Sequence, residues 1–148
     1  MTSSEAATPP TPALPPLAPT IWPTVSFADA DAGIRLLTEI LGFVVTTAHR
    51  DDDGAVVHAE ARWPDGGGIM FGTAGKPGLW SGLGATGMYV SAGDAATVDA
   101  IWNRVQTLGE QNGLTVVDSL YEADYGSHQF TVRDADGNLW CIGTYLGE

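Results

Sequence analysis

Basic side chains are scarce in this chain. One lysine, Lys76, and five arginines stand against 18 Asp and Glu, for a net charge of −12. A surface that reads nucleic acid must neutralise phosphates with clustered Lys and Arg, so no nucleic-acid partner is expected. Cysteine is scarcer still. Cys141 has no second cysteine to pair with, which excludes an internal disulfide and leaves nothing pointing to an oxidising compartment. No apolar run approaches the roughly 20 residues of a membrane span, and no basic stretch leads into an apolar one at the N-terminus. A chain with no membrane contact, located in the cytoplasm, is the expectation. What the sequence does hold suits a folded unit: 148 residues, 44% hydrophobic and 16% charged, with a mean hydropathy of +0.03. That is one domain with enough apolar material for a core. The acidic surface favours cationic ligands, but it equally serves solubility, and the composition leaves both readings open.

Residues 1–20 carry six of the nine prolines (Pro9, Pro10, Pro12, Pro15, Pro16 and Pro19). Proline donates no backbone hydrogen bond and fixes φ, so this stretch is expected to be a disordered or polyproline-II arm. The remainder, 21–148, is expected to be one domain of two modules, 22–75 and 84–148, joined by a Gly-rich linker over 76–83. Thr24 to Phe27 predicts a strand. Asp29 or Asp31 is placed to cap a helix whose Ile34, Leu37 and Leu41 keep helical spacing up to Gly42. Phe43–Thr47 and Ala55–Trp63 predict strands around the Asp51–Gly54 turn. Ile69–Phe71 follows the turn at Pro64–Gly68.

The same order then repeats. Val90-Ser91-Ala92-Gly93-Asp94 echoes Val25-Ser26-Phe27-Ala28-Asp29, and a helix with Val98, Ile101, Trp102, Val105 and Leu108 is expected to end at Gly109. Arg62 to Thr73 lies without gaps over Arg133 to Thr144, with Arg, Asp-Gly and Gly-Thr coinciding. An internal repeat outranks local propensity as a guide to fold. It predicts an α+β protein of two tandem βαβββ modules forming a curved mixed sheet.

With Tyr125-Gly126-Ser127, the turn Asp134-Ala135-Asp136-Gly137-Asn138-Leu139-Trp140 and His58-Ala59-Glu60 in the third strand, this pattern resembles the vicinal-oxygen-chelate superfamily, and within it the glyoxalase/bleomycin-resistance-like branch. The resemblance spans roughly residues 22–146. It implies a sheet curved into a cup and often a homodimer whose cup is walled by both chains. Enzymes of that superfamily hold a divalent metal with His, Glu or Gln from the first and last strands of each module. Carried over by position, those sites are Trp22 and Met70 in the first module and Gly87 and Cys141 in the second. None supplies an imidazole or carboxylate. No metal, no cofactor and no catalytic residue is therefore expected, and Cys141 is expected to be a buried small residue.

Strand alternation places Val56, His58, Glu60 and Arg62 on one face, with Val57, Ala59, Ala61 and Trp63 on the other. The repeat sets Gln129, Thr131 and Arg133 at the places of His58, Glu60 and Arg62. These two polar rows are either ion-paired outer faces or the lining of a ligand pocket, with His58 and Glu60 as a base or metal pair in a minority reading. His128 falls on the apolar side as a structural histidine, and His49 is expected to be exposed. Trp63 and Trp102 take core phases, and Trp140 can face either way. Trp80 sits in the linker, where no regular element calls for a large aromatic side chain. With Trp22 at the cup mouth, it is the candidate stacking platform for a planar or cationic molecule. The expected ligand-binding set is Trp22, His58, Glu60, Arg62, Trp80, Gln129, Thr131 and Arg133. The expected function is a metal-independent small-molecule binding protein of bleomycin-resistance type, working as a homodimer. A metal-dependent lyase or dioxygenase using His58 and Glu60 is the alternative.

Overall fold

A computed structural model describes Leu14 and residues 19–147. The Pro-rich arm lies outside these residues except for Leu14, Pro19 and Thr20. Strand β1 (Thr24–Phe27) leads into helix α1 (Ala30–Arg35), which widens into a π-helical stretch, Leu36–Leu41. Strands β2 (Val44–Arg50), β3 (Val56–Arg62) and β4 (Gly68–Thr73) complete the first module. A short 3-10 turn, Trp80–Gly82, precedes the second: β5 (Gly87–Ser91), α2 (Ala95–Leu108), β6 (Thr115–Glu122), β7 (His128–Arg133) and β8 (Leu139–Gly143).

Two four-stranded mixed sheets result, ordered β1-β4-β3-β2 and β5-β8-β7-β6, with the first and last strand of each module parallel. The expected α+β class and paired βαβββ architecture are observed; within one chain the eight strands divide into two sheets instead of forming one. The duplication extends to irregularities. Each module has a bulge where its second strand meets its third, at Val45/Thr47 against Ala61/Glu60 and at Val116/Asp118 against Val132/Thr131. A bulge adds one residue to one strand and turns it locally.

Each helix begins at an aspartate. Asp29 accepts from the Ala32 amide at 3.1 Å and Asp94 from the Thr97 amide at 2.8 Å, each satisfying an orphan donor of the first turn. Asp31, the other candidate cap, pairs instead with Arg50 at 2.7 Å. Gly42 takes the left-handed conformation (φ 98°) that ends the first helix. Gly109 does not play that part in the second. It is right-handed, and the chain continues through a 3-10 turn, Glu110–Asn112, to Gly113 at φ 82°.

The helices lie between the sheets and the two modules share one core. Val25, Phe27, Ala59, Ala61 and Phe71 of the first sheet join Val90, Phe130, Val132, Trp140 and Ile142 of the second, with Leu37, Ile40, Leu41, Val98 and Ile101 between. Phe43 bridges them, with its ring 5.1 Å from Trp63 and 6.0 Å from Trp140. Across the same boundary Arg104 donates to the Ile40 carbonyl at 2.8 Å, and the Trp63 indole donates to the Ser91 carbonyl at 2.9 Å. Trp63 is in the core as expected, Trp102 is partly buried against Phe130 at 5.1 Å, and Trp140 faces inward.

The turn from Asp134 to Asn138 fastens the second module. The buried Asp134 carboxylate accepts from the Asp136 and Asn138 amides, from the Asn138 side chain and from the Trp140 indole at 2.9–3.2 Å. Asp136 reaches the first module, accepting from the Ala28 amide at 2.9 Å. Charged hydrogen bonds of this kind exceed neutral ones in strength, and burial raises the cost of losing them.

Candidate functional site

Because the helix-side faces form the shared core, the polar rows lie on the outer faces of the two sheets. On the first sheet Thr24, Met70 and Glu60 form one rung across β1, β4 and β3. On the second, Tyr89, Cys141 and Thr131 form the equivalent rung across β5, β8 and β7. Trp22 and Gly87 precede Thr24 and Tyr89 by two residues on the same faces. The repeat register read from the sequence is thus the register of the sheets.

A cavity of about 560 Å³ opens on the first outer face, lined by Trp22, Ser26, His58, Met70, Lys76 and Trp80 among others. A Cβ at Gly68 would come within 2.8 Å of both the Trp22 ring and the Ala61 carbonyl, so glycine at the start of β4 lets the indole lie close over the strand. Trp80 lines the same cavity and is 64% exposed, its carbonyl accepting from the Ser26 hydroxyl at 3.3 Å. Both basic side chains at this cavity are paired. His58 Nε2 lies 2.8 Å from Glu60 Oε2, and Lys76 Nζ lies 3.2 Å from Asp51 Oδ2. The exposed His49 stacks on His58 with centroids 6.2 Å apart.

Strict alternation fails at one place in β3. His49 faces His58 but Arg50 faces Val56, so Val57 is an extra residue in the ladder. The bulge turns Val56 into the core and leaves Val57 49% exposed beside His58 at the cavity, the reverse of the expected assignment. Glu60 and Arg62 are partly buried further along the strand, outside the cavity wall.

The second outer face gathers all four tyrosines of the sequence. Gln129 is buried between two of them: Tyr125 donates to its Oε1 at 2.6 Å, and its Nε2 donates to the Tyr121 hydroxyl at 2.8 Å. Tyr89 shares a 2.6 Å hydrogen bond with the buried Ser127. Gly143 makes room for this contact, since a Cβ there would lie 2.4 Å from the Tyr89 hydroxyl and 2.6 Å from Ser127 Oγ. Thr131 sits beside Cys141, and Arg133 is exposed at the end of β7. The second polar row therefore does not meet the first within one chain: Trp22, His58 and Trp80 come together, whereas Gln129, Thr131 and Arg133 stand on the other sheet. The tyrosines and Met70 are the lining residues that residue-by-residue reading missed. The signal was present in the repeat, which sets Tyr89 at the place of Thr24.

The metal positions hold an indole (Trp22), a thioether (Met70), a bare glycine (Gly87) and a thiol (Cys141). Burial pushes that thiol up from its ordinary range, against a smaller opposing pull from the Thr131 hydroxyl, so the metal-binding thiolate is disfavoured. This donor set does not fit a divalent cation. Among the described residues no three or more His, Cys, Asp or Glu are grouped to hold a metal ion.

His128 is on the helix side of its strand, as expected, but is partly exposed and clamped by carboxylates. Its Nε2 is 2.6 Å from Asp99 on α2 and its Nδ1 contacts Glu122 on β6. The hydrogen bonds it donates to Asp99 and then to Glu122 raise its pKa above the ordinary 6.5. A raised folded-state pKa gives stabilisation that is complete below the unfolded value and is lost as pH rises through the folded one. The urea midpoint is therefore expected to fall between pH 6 and pH 9 more in the wild type than in His128→Gln, whose profile lacks this contribution.

The paired βαβββ modules and the cavity on the outer face of the first sheet set the frame for comparison with known proteins. The model of the Glyoxalase/Bleomycin resistance protein/Dioxygenase superfamily matches residues 22–142. The chain belongs to that superfamily. Among solved structures, TioX from Micromonospora sp. ML1 is 25% identical with a TM-score of 0.65, over 85% of this chain and 99% of that one. A lactoylglutathione lyase from Agrobacterium tumefaciens is 17% identical (TM-score 0.61; 87% and 95% covered). A family enzyme from Burkholderia phytofirmans PsJN is 15% identical (TM-score 0.56; 82% and 94% covered). These last two show the fold alone. No curated protein sequence matches the chain. No helix among the described residues is long and apolar enough to cross a membrane.

Proposed function

We propose that this protein is a metal-independent binding protein of bleomycin-resistance type, acting in the cytoplasm, that sequesters a planar aromatic and cationic small molecule on the outer face of its first sheet. The observation that carries this reading is the cavity between Trp22 and Trp80, where family enzymes would place a metal and this chain places an indole and a thioether. Its volume of about 560 Å³ suits a drug-sized ligand. Indole faces attract flat, electron-poor rings, thioethers pack against them, and a net charge of −12 favours a cation. Lys76 and His58 do not oppose that charge, because each is paired with a carboxylate.

A homodimer is the proposed working form. Supporting it are the exposed Val116, Val117 and Tyr121 on β6, an edge strand.

Titration with 9-aminoacridine, a planar cation, tests the reading. Saturable quenching of tryptophan fluorescence and a rise in melting temperature are expected; absence of both would refute it. The enzymatic alternative rests on the His58–Glu60 pair at 2.8 Å. It requires near-stoichiometric retention of one divalent ion through gel filtration, and loss of that ion in His58→Ala.

A further inference from the structure

We propose that the outer face of the second sheet carries a separate site for a quaternary or alkylated ammonium group, walled by Tyr89, Tyr125 and Tyr145. These three line a cavity of about 430 Å³ that shares no lining residue with the tryptophan cavity on the first sheet. The inference stands independently of the function proposed for that first cavity.

The rings are held as a cage. Tyr145 meets Tyr89 at 6.3 Å and 89°, and Tyr125 at 5.1 Å and 81°, so successive rings stand nearly at right angles, as walls of a corner do. Two of the hydroxyls are spent in fixing them. Tyr89 is bonded to Ser127 and also accepts from the Tyr145 amide at 3.0 Å, while Tyr125 donates to the buried Gln129. Ser91 donates to the Tyr145 carbonyl at 2.6 Å, which leaves the Tyr145 hydroxyl as the polar side-chain group of the wall not engaged in this way. With the Tyr89, Tyr125 and Ser91 hydroxyls engaged inside the protein, an anion or a neutral polyol gains at most the single Tyr145 hydroxyl here. The exposed ring faces carry the negative side of the aromatic quadrupole, which attracts a cation.

Long-range charge acts the same way. Between residues 84 and 148 the only bases besides His128 are Arg104 and Arg133, against nine Asp and Glu. Arg133 lies at the far end of β7, four residues and about 13 Å from Gln129, and Arg104 is turned toward Ile40. An ammonium bearing methyl groups suits the site best, because it leaves its water at little cost and needs no hydrogen-bond acceptor.

Isothermal titration with choline and with its neutral carbon isostere, 3,3-dimethyl-1-butanol, tests the proposal on the full chain. Saturable choline binding is expected, with the isostere at least about tenfold weaker. Tyr145→Leu and Tyr125→Leu are each expected to weaken choline about tenfold, while Tyr145→Phe, which keeps the ring, stays within about threefold of the wild type. Saturating 9-aminoacridine is expected to leave choline affinity unchanged. Equal binding of the two isosteres, no saturable choline binding, or competition between choline and 9-aminoacridine would each overturn the proposal. The isostere comparison uses only wild-type protein, so it decides the matter even if the leucine variants fail to fold. Failure of 9-aminoacridine to bind with choline still held would count against the first-sheet reading alone.

Discussion

Replacing Trp80 by alanine is expected to raise the dissociation constant for 9-aminoacridine about thirtyfold while leaving the melting temperature almost unmoved. The two halves of that expectation come from the same fact. Trp80 is 64% exposed in a short turn and lies outside the core, yet it lines the first-sheet cavity. Losing a ring that stacks on a bound planar cation costs about 2 kcal/mol from buried area and ring-to-ring attraction together, and each 1.4 kcal/mol is tenfold in affinity. Fluorescence titration of both proteins, with calorimetric melting as the control, reads the effect. An unchanged affinity would mean that the ligand does not touch this side chain. Trp22→Ala is a less clean probe, because its indole packs against β4 over Gly68 and its loss disturbs the strand as well as the cavity.

The largest expected loss of stability comes from Asp134→Ala. Four donors converge on this carboxylate, which is only 6% exposed, and alanine leaves all of them without their acceptor. Orphaning buried donors that faced a charge costs about 3–5 kcal/mol, which for a chain of this size lowers the melting temperature by about 10 °C. Asp134→Asn, able to satisfy part of the set, is expected to fall between the two. Urea unfolding monitored by circular dichroism measures the series. A cost below about 1 kcal/mol would show that water replaces the carboxylate without penalty.

The way this turn acts also explains what could be read in advance. Asp-x-Asp-Gly-Asn-x-Trp stands out in the sequence as a motif of the resemblance, and in the fold it has a physical role: Asp134 collects donors from Asn138 and Trp140, and Asp136 reaches to Ala28. The repeat likewise predicted the equivalence of positions between the modules: Met70 pairs with Thr24 in the first sheet as Cys141 pairs with Tyr89 in the second. The bulge at Val57 was not legible, because alternation assumes an unbroken ladder and a single inserted residue reverses faces beyond it. Gly109 misled for a related reason: glycine marks many helix ends, but here the left-handed residue is Gly113, one 3-10 turn later.

The site was half legible. Trp80 was singled out because no secondary structure required it, and it does reach a cavity with Trp22 and His58. Gln129 was counted as a polar lining residue from its strand phase alone. Phase cannot show that Tyr121 and Tyr125 would close over its amide. Those tyrosines lie on β6 and in the following turn, brought to Gln129 only by the pairing of β6 with β7.

Calorimetric titration of 9-aminoacridine into protein stripped by a chelator is the most direct measurement of whether this cup binds with side chains alone. Saturable binding with the same dissociation constant before stripping, after stripping and after return of Mn, Fe, Co, Ni or Zn is the predicted result. Binding that vanishes on stripping and returns with one of those ions would contradict it and place a metal at the heart of the site.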